Sequence, residues 1–158
     1  VEFEYLTWVI QESLRFNPAV PVTEGYLLEK DTRLGNFEFK KGINFYFYIH
    51  GLHHNPNEWQ QADQFLPERF DPSSKLFKTP GGKLRHPMSY IPFSFGERKC
   101  VGYSFAKTLI PSLITKIIHK FDFDLEDKAL QEDNVYPIAS MFQNIQSEIM
   151  TKVSPIVA

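Results

Sequence analysis

The chain has 158 residues and a formal net charge of −2 from 17 basic and 19 acidic residues, enough length for one domain with a sizeable core. The near balance of charge and the scatter of the lysines argue against a nucleic-acid partner or an anionic substrate. A single cysteine excludes an internal disulfide framework and favours a reduced, intracellular setting. No apolar run approaches the ~18 to 20 residues that span a bilayer, and no signal peptide is visible. The chain opens Val1-Glu2-Phe3-Glu4, without an initiator Met and already within a helical pattern. It is therefore expected to be the C-terminal part of something longer, any membrane anchor lying in the missing upstream segment.

Phe3, Leu6, Val9, Ile10 and Leu14 recur at helical spacing until Asn17-Pro18, which predicts an amphipathic helix over residues 1 to 16. Glu12 and Arg15 are neighbours on one of its faces. From Pro18 to His50 the pattern becomes short and extended, with a turn at Lys40-Lys41-Gly42 and alternating aromatics from Asn44 to Ile49. This predicts a small antiparallel sheet with a hairpin near Gly42, the aromatics packing as sheet core. His50, His53 and His54 cluster, but no cysteine or carboxylate completes a zinc set, so they read as hydrogen-bonded or surface histidines. Phe65-Leu66-Pro67-Glu68-Arg69-Phe70-Asp71-Pro72 has prolines at both ends, which forces an irregular path. An arginine fixed there can reach a distant carboxylate with its planar fork.

Residues 73 to 88, with Pro80-Gly81-Gly82, read as a long exposed loop. It delivers the chain to Phe93-Ser94-Phe95-Gly96-Glu97-Arg98-Lys99-Cys100-Val101-Gly102. Here the one cysteine lies between two glycines, two residues after an arginine, at the mouth of a helical pattern. Cationic neighbours, helix N-termini and metals favour the thiolate form of cysteine in general, and glycines allow the backbone a sharp turn and a close approach to a flat ligand. Phe105, Leu109, Leu113, Ile114, Ile117 and Ile118 then predict a helix running to Phe121, with Pro111 unexplained inside it. Residues 121 to 125 and 139 to 155 read as strands separated by an acidic loop. No internal repeat or second domain is visible.

The run F-x-x-G-x-R-x-C-x-G resembles the haem-binding loop of the cytochrome P450 family, the haem-thiolate monooxygenases, with every position filled. Glu12-Ser13-Leu14-Arg15 resembles the family's E-x-x-R motif, His53-His54-Asn55-Pro56 its H-x-D/N-P turn, which implies a short helix at 57 to 62, and Pro67-Glu68-Arg69-Phe70 its P-E-R-F motif. The resemblance implies an α+β, mainly α fold, the C-terminal part of the family's architecture. Its parts would be the E-x-x-R helix, a small antiparallel sheet, a meander, the cysteine loop and a long helix. Residues 1–158 would form a C-terminal fragment of a single haem-binding domain. Cys100 would be the axial ligand of iron in haem b (iron protoporphyrin IX), Arg98 would pair with a haem propionate, and Phe93 would pack near the sulfur, with Gly96 and Gly102 completing the loop. Glu12, Arg15 and Arg69 would form a buried structural triad. Residues 20 to 24 and 141 to 145 would touch substrate. Many members carry a second propionate-binding arginine near the position of Glu24 or Gly25, and this chain has none there.

The resemblance further implies an oxidoreductase that inserts one oxygen atom from O2 into a small apolar organic substrate, with a flavoprotein reductase or ferredoxin-type donor as redox partner. The full-length protein would be intracellular, at the endoplasmic reticulum membrane. The oxygen-activating helix would lie upstream of Val1, so the fragment alone is expected to be inactive. Lys99 and Lys107 are either a docking surface for an acidic donor or ordinary solvated charge. Rival readings are a thiolate-haem peroxide isomerase or dehydratase, a non-catalytic fragment keeping only the fold, and a cysteine hydrolase using His86 or His119 as base.

Overall fold

The computed structural model of the chain describes residues 2–125 and 151–156. Helix α1 spans Glu2–Phe16. Its apolar residues fall on one side, and Pro18 cannot continue its hydrogen-bond ladder, so the last bond of the turn is Asn17 N–H to Ser13 O at 2.9 Å. The face turned inward carries charge as well as carbon: Glu12 and Arg15 are fully buried. That face packs on a 3-10 turn at Pro67–Phe70, on helix α2 (Ile49–His53) and on helix α3 (Tyr103–Ile118).

Between α1 and α2 the chain forms two small antiparallel pairs. Strand β1 (Tyr26–Leu27) pairs with β4 (Asn44–Phe45), and β2 (Thr32–Leu34) pairs with β3 (Phe37–Phe39). The expected hairpin near Gly42 is corrected. The two-residue hairpin loop is Gly35-Asn36, where Leu34 faces Phe37 and Gly35 takes φ +59°, a backbone state that glycine adopts without penalty. Gly42, at φ +91°, does turn the chain. It leads β3 into β4, whose partner is the more distant β1, and Gly42 N–H donates to Leu28 O at 2.8 Å.

The aromatic run also departs from expectation. Only Asn44–Phe45 joins a ladder, Tyr48 makes an isolated bridge to Val22, and Ile49 already begins α2. Tyr46 is 60% exposed and Tyr48 49% exposed, so these rings are not the core of a sheet. The helix expected at 57 to 62 is a series of turns, and the helical segment lies earlier, in α2. Helix α3 continues through Pro111 and ends at Ile118, three residues before the predicted Phe121. Strand β5 (Phe121–Leu125) pairs with β6 (Thr151–Pro155). The remainder of the predicted strand over 139 to 155, including residues 141 to 145, lies outside the described residues.

Among the described residues Ile49, Trp59 and Ile91 are buried, with Pro18 and Pro21, and so are Glu12, Arg15, His53 and Arg69. The centre of the described structure is therefore a polar network wrapped in aromatic rings, held where α1, α2 and the 53–70 segment meet. Among the described residues no helix is long and apolar enough to cross a membrane.

Candidate functional site

The polar network comes first because it fixes the scaffold of the cysteine loop. Glu12 accepts from Arg15 through both oxygens, Nε to Oε2 and Nη2 to Oε1 at 2.8 Å each. Its Oε1 also accepts from Arg69 Nε at 3.1 Å and from the Leu66 N–H at 2.8 Å. Two cations against one carboxylate leave a positive surplus, and backbone carbonyls absorb it. Arg15 donates to His53 O, Ala62 O and Gln64 O, while Arg69 donates to Gln60 O, Gln61 O and Gln64 O. An irregular segment thus has its carbonyls satisfied without helix or strand. Burial lowers the Arg69 pKa below the ordinary guanidinium value, with Glu12 opposing the shift.

Arg85 extends this network and had no counterpart in the sequence reading. Its guanidinium lies 4.3 Å from the Trp59 ring centre and donates to Leu76 O at 2.8 Å and Arg69 O at 2.7 Å. Burial first, then the charge of Arg69, pulls its pKa down to about 10. The segment read as one long exposed loop is therefore pinned at this residue, and it contains 3-10 turns at Lys75–Phe77 and Pro87–Ser89.

From the network a run of hydrogen bonds leads to the cysteine. Arg15 Nη1 holds the carbonyl of His53 at 3.0 Å, and the His53 Nε2 accepts from the Ile91 N–H at 2.9 Å. Ile91 O accepts from Ser94 N–H at 3.0 Å, and Phe93 O accepts from Cys100 N–H at 3.0 Å. Burial above all pushes the His53 pKa down to about 4, so the ring is the neutral acceptor that this run requires. Tyr90 stands beside it and donates its hydroxyl to Gln11 O at 3.0 Å, with burial raising its pKa well above the usual phenol value. His50 and His54 stack with ring centres 4.1 Å apart. No group of three or more metal-ligating side chains occurs among the described residues.

The loop itself is narrow and exposed. Ser94 and Gly96 take φ +62° and +68°, Lys99 N–H closes a turn on Gly96 O at 3.2 Å, and Tyr103 N–H closes one on Cys100 O at 3.2 Å. Phe93 packs edge-on against Tyr103 at 5.3 Å. Arg98, Cys100 and Val101 all face solvent, and Val101 is fully exposed. A β-carbon on Gly102 would stand 3.7 Å from Cys100 Sγ, and nothing lies within 4 Å of one on Gly96. Arg98 forms no ion pair among the described residues. Lys99 and Lys107 are exposed, with ammonium groups 3.5 Å and 5.6 Å from the Tyr103 ring centre.

A cleft of about 540 Å³ separates α1 from α3 behind this loop, walled by Ile10, Leu14, Phe93, Phe95 and Ile110 among others. Cys100 is not in its wall. Arg98, Cys100 and Val101, all exposed, instead stand within four residues of one loop, just before helix α3 with its exposed Phe105. A soft sulfur donor, an apolar surface and a cation near one another in sequence suit a flat apolar macrocycle that carries iron and acidic side groups, so these residues fit haem.

The departure noted at Glu24 and Gly25 also has a structural side. Both are exposed, and a β-carbon on Gly25 would lie 3.1 Å from Cζ and Oη of Tyr46. A phenol thus occupies the space beside that position. As for a cysteine hydrolase, neither His86 nor His119 hydrogen-bonds Cys100. His86 Nδ1 accepts from the Met88 N–H, and His119 caps α3.

A protein-family model described as Cytochrome P450 matches residues 1–153. The steroid 17-alpha-hydroxylase/17,20 lyase of Felis catus is 34% identical over 119 residues, which are 75% of this chain and 22% of that protein. Cytochrome P450 714A2 of Arabidopsis thaliana is 39% identical over 121 residues, 76% of this chain and again 22% of the relative. Among solved structures, a cyanobacterial CYP120A1 with retinoic acid bound superposes with a TM-score of 0.79 at 28% identity, covering 96% of this chain and 33% of that one. A zebrafish cytochrome P450 with abiraterone gives a TM-score of 0.78 at 26% identity, covering 98% and 34%. The chain therefore spans 22% of the length of the curated relatives it matches.

Proposed function

Because the chain belongs to the cytochrome P450 family, we propose that it is the C-terminal part of one haem-binding domain in a monooxygenase that inserts one oxygen atom of O2 into a small apolar substrate. The second oxygen leaves as water, with two electrons from a flavoprotein or ferredoxin-type donor and two protons from solvent. The observation that carries this reading is the exposed turn on which Cys100, Arg98 and Val101 stand together, a cysteine spent on the surface rather than in packing.

In this reading Cys100 would hold the iron of haem b through its sulfur, and the bound group would supply an iron centre for O2 chemistry, which a thiolate ligand promotes. The protein's own part is binding and orientation. Arg98, which has no carboxylate partner among the described residues, pairs with a propionate. Gly96 lets the chain turn at φ +68°, and Phe93, braced against Tyr103, packs near the sulfur. Glu12, Arg15 and Arg69 hold the scaffold and touch no reacting atom. Relatives named as steroid hydroxylases and a structure holding retinoic acid support an apolar substrate class. A microsomal location for the whole protein is part of the same proposal.

The test is the absorption spectrum of the reduced, CO-bound protein at its natural length, beside a Cys100→His variant. A red-shifted Soret band in the parent, absent from the variant, is expected. A parent band at the position given by histidine ligation would overturn thiolate ligation.

A further inference from the structure

Ser94 is one of only two non-glycine residues among those described with positive φ, at +62°. The other, Gln61, has its carbonyl held by Arg69. A side chain in the left-handed region costs free energy and persists only where neighbours hold it. What holds Ser94 comes from far away in sequence. Tyr26, on β1, brings its hydroxyl to 3.3 Å from Ser94 Oγ. The same ring packs edge-on against Phe47 at 5.5 Å, and Phe47 packs edge-on against Phe95 at 5.3 Å. The two residues at the start of the cysteine loop are thus gripped from the β1 side, one by a hydrogen bond and one by a ladder of rings.

We propose that Tyr26 and Ser94 are positioning residues for Cys100. The consequence runs along the backbone. Ser94 N–H bonds Ile91 O, and the neighbouring Phe93 carbonyl receives the Cys100 N–H, so a rotation at Ser94 moves the acceptor that fixes the cysteine's own amide. Pairing Ser94 to the β1–β4 layer sets that acceptor from one side, while His53 sets Ile91 from the other. The inference rests on the reading of Cys100 as haem ligand for its purpose, though not for its geometry.

The test uses the protein at its natural length, haem-free and haem-loaded, with Tyr26→Phe, Ser94→Ala, the double variant and Ser94→Gly. In the haem-free protein, amide exchange at Ser94 and Cys100 is expected to speed about three- to tenfold in Tyr26→Phe, the factor that a typical net hydrogen bond is worth. Ser94→Ala should do the same, and the double variant no more than either single, because one bond is lost in each case. Ser94→Gly should exchange more slowly than Ser94→Ala, since glycine takes the turn without strain. In the loaded protein, the fraction lacking the red-shifted CO band should rise in Tyr26→Phe. Exchange at Ser94 and Cys100 unchanged by Tyr26→Phe, or single effects that multiply in the double variant, would overturn the inference. A parent protein without the red-shifted band would sink thiolate ligation instead and leave the exchange result to judge the clamp.

Discussion

At the scale of single residues, His53 shows how burial turns a titratable group into a fixed part. Its Nε2 accepts from Ile91 N–H, so a proton added there would set donor against donor. Arg15, which donates to its carbonyl, and His54 both stand close enough to disfavour a positive ring. The folded-state pKa, about 4, lies below the unfolded value near 6.5. The folded form therefore binds fewer protons, and the stabilisation is complete above pH 6.5 and is lost as pH falls from there through about 4. The expected loss is about 3 kcal/mol relative to His53→Asn, which keeps an acceptor without titrating. Urea midpoints of the two proteins across pH 7 to 4 should converge; parallel curves would count against the assignment. The sequence made His53 visible as part of an H-x-N-P turn, yet the role of its ring could not be read there. That role depends on Ile91, 38 residues away, and the same distance problem hid Tyr26 and Tyr90.

At the scale of elements, local rules read α1 and α3 well, because helical periodicity and Asn17-Pro18 are short-range signals. They failed between Gly25 and Ala62. Gly42 looked like the hairpin glycine, but Gly35-Asn36 fits the two-residue loop, and the strand after Gly42 finds a partner beyond the hairpin. The aromatic alternation suggested a strand to Ile49, whereas the need to bury Ile49 and His53 starts a helix there. The meander between α2 and the loop has no period to read at all, since guanidinium groups and local turns rather than neighbouring strands satisfy its carbonyls. Glu12 is the one carboxylate hydrogen-bonded to either Arg15 or Arg69 among the described residues. Glu12→Gln should therefore destabilise the fold by roughly 3 to 5 kcal/mol, and more than Arg69→Ala does, because it strands two buried cations while Arg69→Ala leaves Glu12 paired with Arg15. Denaturant midpoints of the two variants give the order, and the reverse order would show that carbonyl satisfaction matters more than charge.

At the scale of the whole molecule, α3 has no buried residue among those described, and Phe105, Leu109, Leu113 and Ile118 are each at least 45% exposed. Among the described residues α3 touches α1 and strand β5 only lightly, so most of its apolar stripe stays open, whereas α1 is covered by the meander and α2. Glu12 and Cys100 lie 88 residues apart by their numbers (100 − 12), and part of the intervening chain is metered by its acceptors. Surface loops ordinarily tolerate an added residue at little cost. One glycine inserted after Gln61 would put the carbonyls of Gln60 and Gln64 out of step with Arg69, which binds both, and is expected to abolish haem retention. The same insertion between Gly81 and Gly82, both exposed, should leave the CO spectrum intact. The arginines thus act as a ruler, and the length of the meander, as much as its composition, is under constraint.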